Sequence, residues 1–145
     1  MKQLSVTDAH AALAHGGVYL DVRSTQEFAL GHPAGAINIP LLEPDEDTGL
    51  MQANPDFLRV AQHALAADTA VFIGCQAGGR SVRAALMVES FGFSDVTVVC
   101  GGFGGSVDPT GRVEPGWAAA GLPVEQSIQP GRSYEDLLAQ ADAAE

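Results

Sequence analysis

The residue in this chain best placed to do chemistry is Cys75. It opens the stretch Cys75-Gln76-Ala77-Gly78-Gly79-Arg80-Ser81-Val82-Arg83, which follows the apolar run Ala70-Val71-Phe72-Ile73 and Gly74. The order predicts a buried strand, a glycine-rich turn over Gly74–Gly79 and then a helix from Arg80 to Phe91. In an open parallel sheet, ligands bind beyond the carboxyl ends of the strands. There the N–H groups of the turn and of the helix's first turn converge into an anion cradle. A cysteine at the start of such a turn is a candidate nucleophile, because the amides, the helix N-terminus and Arg80 all favour the thiolate. Gly78 and Gly79 suit a turn that needs positive φ and close backbone approach.

Three chemistries share this layout, and spacing separates them. A phosphate-binding P-loop would need lysine where Arg80 stands, and arginine does not replace that point charge. A cysteine phosphatase loop places five residues between cysteine and arginine. Here four residues, Gln76 to Gly79, separate Cys75 from Arg80. The smaller cradle disfavours a tetrahedral phosphate monoester. It fits a loop that holds a single sulfur atom on the cysteine as a persulfide.

The neighbouring polar residues divide into candidates and supports. Arg80 is expected to brace the loop or help fix an anion. Arg83, three residues on and on the same helical face, is a candidate for the anionic end of a sulfur donor. Ser81 reads as a helix cap or a partner for loop amides. Asp21, Arg23 and Glu27 form a charged cluster at the end of a buried strand. The expected role is support, with Arg23 paired to a carboxylate near the loop, since buried charges need partners. His32 is expected to hydrogen-bond backbone in a turn, and Trp117 to pack in the core. Cys100 ends a strand on the same sheet edge as Cys75. It is expected to be a small buried hydrophobe, with a resolving thiol as the alternative.

The elements that would position these residues alternate along the chain. Strands are predicted at Leu4–Val6, Val18–Val22, Ile37–Ile39, Ala70–Ile73 and Asp95–Val99. Helices are predicted at Asp8–Ala14 with Thr7 as N-cap, Thr25–Leu30 with a Ser24/Glu27 capping box, Phe57–Ala66 and Arg80–Phe91. Residues 41–56, with Pro44, Gly49, Pro55 and the acidic run Glu43–Asp47, read as a loop, and residues 101–116 as irregular. An amphipathic helix is expected at Tyr134–Ala144. Apolar strands that do not alternate, separated by helices, predict an α/β fold. Its core is a mainly parallel five-stranded sheet flanked by helices on both faces. The expected division is one domain over 1–125 and a C-terminal tail over 126–145.

Composition sets further bounds. The 145 residues carry a net charge of −11 with Lys2 as the only lysine, which argues against nucleic acid or an anionic membrane as partner. Most of that charge lies in 40–56, at −5, and in 124–145, at −4. Surface acids that far from the loop are largely screened at physiological salt, where the Debye length is about 8 Å. An anionic substrate is therefore compatible with the acidity, and the run at 43–47 points to solubility or to a basic partner or acceptor protein. No metal site is expected, because the four histidines form no HxxxH or HExxH pair and the two cysteines no CxxC. The start of the chain has no apolar h-region and no stretch is long enough to span a membrane, so a cytoplasmic protein with free thiols is expected.

The stretch Leu20-Asp21-Val22-Arg23 through Glu27-Phe28, Gly31-His32-Pro33-Ala34-Gly35-Ala36 and Ile37-Asn38-Ile39-Pro40 resembles the first signature of the rhodanese family. Pro33 stands where that signature usually has an aliphatic residue. Cys75–Ser81 resembles the family's active loop. Gly101-Gly102-Phe103 and Trp117 to Pro123 resemble its closing element, with Gly104–Gly116 as an extra stretch between them. The similarity covers about residues 3–125. It implies a sulfurtransferase with no cofactor beyond the covalent persulfide on Cys75. Sulfane sulfur would pass from thiosulfate or a similar donor to cyanide, a thiol or a protein. Gln76, Ala77, Gly78, Gly79, Arg80, Ser81 and Arg83 would form the persulfide- and substrate-binding loop. Two alternatives on the same scaffold are an arsenate reductase and a non-catalytic sulfur-relay or regulatory module.

Overall fold

The computed structural model describes all residues, 1–145. Five strands form one parallel sheet: β1 (Lys2–Ser5), β2 (Val18–Asp21), β4 (Ile37–Asn38), β7 (Ala70–Gly74) and β8 (Asp95–Cys100). Their order is β1-β8-β7-β2-β4, and every neighbouring pair is parallel. The sheet is thus wholly parallel where the sequence predicted it mainly so. Parallel strands need crossover helices, and these cover both faces. The helices are α1 (Val6–Leu13), α2 (Thr25–Leu30), α3 (Phe57–Ala64), α4 (Gly79–Ser90) and α5 (Tyr134–Ala143).

The pleat sorts the strand residues into two cores. Leu20, Val71, Ile73, Val96 and Val98 face α3, α4 and α5 together with Phe57, Val60 and Val88. Tyr19, Phe72 and Val99 face the other way and pack with Val6 and Ala9 of α1, Phe28 of α2 and Trp117. A one-residue slip of any central strand would exchange the two sets, so the register is tightly specified.

Several expectations change in detail. The N-cap of α1 is Ser5, not Thr7: Ser5 is extended and its side chain accepts from the Asp8 N–H at 3.1 Å. Residues 41–56 are not simply a loop, because β5 (Leu42–Pro44) and β6 (Met51–Ala53) pair as an antiparallel hairpin. Residues 101–116 are likewise not wholly irregular. They contain a second hairpin, β9 (Ser106–Val107) and β10 (Val113–Glu114). A short antiparallel pair, β3 (His32–Pro33) with β11 (Val124–Glu125), ties the closing element to the first signature. The C-terminal segment is no appendage to the core. Leu137 and Ala141 of α5 are buried in the α3–α4 core, and Arg59 of α3 pairs with Asp142 and Glu145. The Ser24/Glu27 capping box forms as predicted.

Candidate functional site

Cys75 follows the last residue of β7, in the middle of the sheet, and its side chain is buried. The turn after it is tight. Gly78 takes φ +128°, a conformation that disfavours any side chain, and α4 begins at once with Gly79. That geometry brings the Gly78 N–H onto the Cys75 sulfur at 2.9 Å. The Ser81 hydroxyl lies on the other side. It accepts from the Cys75 thiol at 3.5 Å and donates to the Gly78 carbonyl at 2.9 Å. No side chain caps α4, so the first-turn N–H groups remain free for an anion. The sulfur therefore accepts from one backbone N–H, beside the free N–H groups at the positive end of a helix.

Two carboxylate–arginine pairs hold this cradle. Arg23 is buried and donates to Asp21 through its backbone N–H, Nε and Nη2, at 2.8–3.1 Å. Its remaining donors reach the Gly31 carbonyl at 2.7 Å and Gln76 Oε1 at 3.2 Å. The guanidinium also lies 4.4 Å from the ring centre of Phe103. Burial pushes the Asp21 carboxyl up, and the hydrogen bonds from Arg23 oppose that shift. Asn38 completes the unit by donating to the carbonyls of Asp21 and Arg23, each at 3.0 Å.

The second pair is Arg80 with Glu27, at 2.6 and 3.1 Å. Burial alone would raise the Glu27 carboxyl. Hydrogen bonds from Arg80 and from the Ser24 N–H outweigh it and hold the group down at about 2. The same bonds raise the Arg80 guanidinium. The Arg80 Nη atoms bind Glu27, which joins α4 to α2.

The remaining predicted residues fall in different places. Gln76 and Ala77 are exposed at the rim, with the Gln76 side chain turned towards Arg23. Arg83 is exposed and makes no ion pair. His32 is buried, stacked on Phe28 at 3.8 Å and bonded through Nδ1 to the Phe28 carbonyl at 2.8 Å. Trp117 packs edge-on against Tyr19 and donates to the Pro123 carbonyl at 2.8 Å. Cys100 is only partly buried, so it is not the buried hydrophobe expected. Burial and then the Glu114 carboxylate push its thiol up.

Three supports had little or no local signal. The N–H groups of Phe103 and Gly104 donate to the carbonyls of Cys75 and Gln76 at 2.7 and 2.9 Å. Gly102 (φ +58°) lies so close to Cys75 that a Cβ there would overlap the Cys75 carbonyl. The Tyr19 hydroxyl fills the space that a side chain at Gly74 would need. The Gly101-Gly102 pair was the visible hint of the close approach, and nothing in sequence pointed to Tyr19. The Gly104–Gly116 stretch also finds its place here. With Ala77 it lines a groove of about 600 Å³ that includes Val107, Val113 and Glu114. On the other side a cavity of about 430 Å³ is walled by Arg23, Glu27, Leu30, Gln76 and Phe103.

A buried cysteine beside a loop N–H, at the carboxyl edge of an open parallel sheet, does not by itself name an activity. Comparison with known proteins narrows it. The Rhodanese-like domain model matches residues 5–106. Thiosulfate sulfurtransferase 16, chloroplastic, from Arabidopsis thaliana is 39% identical over 123 residues, covering 84% of this chain and 91% of that protein. The Arabidopsis protein HIGH ARSENIC CONTENT 1, mitochondrial, is 33% identical over 108 residues, covering 74% of this chain but 63% of its own length. The crystal structure of Rv0390 from M. tuberculosis superposes with a TM-score of 0.71 at 25% identity, covering 88% of this chain and 98% of that one. The chain belongs to the rhodanese-like family and is similar to its thiosulfate sulfurtransferases. No helix is long and apolar enough to cross a membrane. The plant relatives are named for organelles, so they lend no support to the expected cytoplasmic location.

Proposed function

We propose that this protein is a sulfurtransferase that carries sulfane sulfur on Cys75. The observation that supports it best is the Gly78 N–H aimed at the Cys75 sulfur, at 2.9 Å, beside an uncapped helix N-terminus. In the first half-reaction the Cys75 thiolate attacks the outer sulfur of thiosulfate. A new S–S bond forms, the original one breaks, and sulfite leaves with the bonding electron pair. The negative charge on the terminal sulfur of the resulting persulfide faces the loop's N–H donors, which are fixed before the reaction begins. In the second half-reaction a nucleophile such as cyanide or a thiolate takes the terminal sulfur, and Cys75 leaves as thiolate. Dividing the transfer into two displacements is ordinary covalent catalysis.

Each neighbouring residue has a part in this scheme. Arg23, Asp21, Glu27 and Arg80 position the loop. Arg83, exposed and without an ion pair, binds the sulfonate end of the donor. The test is thiocyanate formation from thiosulfate and cyanide. The wild type should turn over, and Cys75→Ser should fall to background. A Cys75→Ser variant with wild-type turnover would remove the proposal.

A second reading, arsenate reduction, draws on the relative named for arsenic content. It predicts thiol-dependent arsenite release from arsenate. The free partly buried Cys100 would then be needed for activity. Retention of arsenate turnover in Cys100→Ser, or its absence in the wild type, counts against it.

A further inference from the structure

The Gly104–Gly116 stretch has no part in the two displacements at Cys75, yet it builds a wall beside the nucleophile loop. Its hairpin, β9 with β10, and the exposed Ala77 of the loop border the groove of about 600 Å³. That volume is within the range of about 300–1,000 Å³ typical of small-molecule sites. Glycine and alanine supply much of the wall, so backbone lies close to the open space. Val107 and Val113, paired across the hairpin and each 66% exposed, add aliphatic surface.

Glu114 is the only charged residue on this wall. It is half-buried, and no cation pairs with it. The arginines that hold the loop are committed elsewhere, Arg23 to Asp21 and Arg80 to Glu27. A carboxylate drawn partly out of water attracts a cation more strongly than a fully solvated one. Its charge acts on this rim already, since it helps to push up the Cys100 thiol. Two consecutive glycines fix its place relative to Cys75. A Cβ on Gly101 would come within 3.2 Å of Glu114 Cγ, and one on Gly102 would overlap the Cys75 carbonyl. Consecutive Cα atoms are about 3.8 Å apart, so the Glu114 side chain and the backbone of the nucleophile pack against neighbouring points of one segment. A short ligand therefore reaches both.

We propose that this groove takes the sulfur acceptor, and that the acceptor is a small thiol with a positive charge, its ammonium group on Glu114; this rests on Cys75 carrying sulfane sulfur. The acceptor thiol loses its proton to solvent, and its thiolate attacks the terminal sulfur of the Cys75 persulfide. A new S–S bond forms on the acceptor, the persulfide S–S bond breaks, and Cys75 leaves as thiolate. The probe is cysteamine, and the neutral control is 2-mercaptoethanol. Cys75 is loaded with thiosulfate and freed of excess reagent, and loss of the added sulfur to each thiol is followed by intact mass. The readout is the ratio of the two unloading rates, compared between wild type and variant, so that the intrinsic reactivities of the thiols cancel. The ratio should fall about tenfold in Glu114→Gln, because a charge-assisted contact is lost. Ala119→Phe, from an exposed position on the groove wall, should fill the space. Unloading by cysteamine should then slow about tenfold relative to unloading by cyanide. An unchanged ratio in Glu114→Gln overturns the proposal, as does unhindered unloading by cysteamine in Ala119→Phe. Wild type that unloads to cyanide but not to cysteamine overturns it too, while the sulfurtransferase reading stands. Wild type that never gains sulfur from thiosulfate removes both.

Discussion

The two cysteines stand at the carboxyl edge of the same sheet, on neighbouring strands, yet their surroundings are opposite. In the shared register Ile73 of β7 lies beside Val98 of β8; two residues later Cys75 has just left β7 and Cys100 ends β8. Beyond Cys75 the chain turns into α4 and directs the Gly78 N–H at the sulfur. Beyond Cys100 no helix begins. The chain runs into Gly101, Gly102 and the β9–β10 hairpin, and burial, followed by the Glu114 carboxylate, pushes that thiol up. Position on the sheet edge alone thus does not set a thiol's surroundings. What differs is a helix N-terminus and the pairs that hold it.

Arg23→Met removes the partner of buried Asp21 and the anchor of Gln76. A buried pair broken this way costs about 3–5 kcal/mol, to be seen as a lowered denaturant midpoint. Where the variant still folds, Cys75 should react with iodoacetamide more nearly like Cys100. Gly102→Ala forces a Cβ against the Cys75 carbonyl from a positive-φ position and should cost about 1–3 kcal/mol. Thiosulfate turnover should fall with it. A fully active, fully stable alanine variant would show that this contact does not matter.

Glu27→Gln probes the brace between α2 and α4. The carboxyl titrates near 4.5 in ordinary surroundings and at about 2 in the folded protein. Its contribution is therefore fully present above 4.5 and is lost as pH falls through about 2. Because the pair is partly exposed, about 1 kcal/mol is expected. Urea titrations of wild type and variant should differ by a constant amount at neutral pH and converge below 4.5. The smallest effect sharpens the Cys100 side. Glu114→Gln removes one of the two influences that raise that thiol, the lesser after burial. In a Cys75→Ser background, alkylation of Cys100 should quicken about twofold.

What could be read in the sequence follows the range of the interactions. The cysteine loop, the Ser24/Glu27 capping box and the apolar strands depend on neighbours within a few positions, and each was legible. The β3–β11 and β9–β10 pairs use two-residue strands too short to show a period. The β5–β6 hairpin hid behind Pro44 and Gly49, which mark a turn as readily as a loop. Arg80 was visible as an arginine beside the cysteine, but its commitment to Glu27 spans 53 positions. The contact of the Tyr19 hydroxyl with Gly74 arises only when β2 and β7 lie side by side. Cys100 was read as buried from its place in an apolar strand, and its partial exposure comes from the chain turning away after it.

Cys75, and not Cys100, is proposed to accept sulfur. Intact mass spectrometry after incubation with thiosulfate and removal of excess reagent tests it most directly. A gain of one sulfur atom is expected in wild type and in Cys100→Ser, reversed by cyanide, and no gain in Cys75→Ser. A sulfur adduct that persists in Cys75→Ser, or none in the wild type, would contradict it.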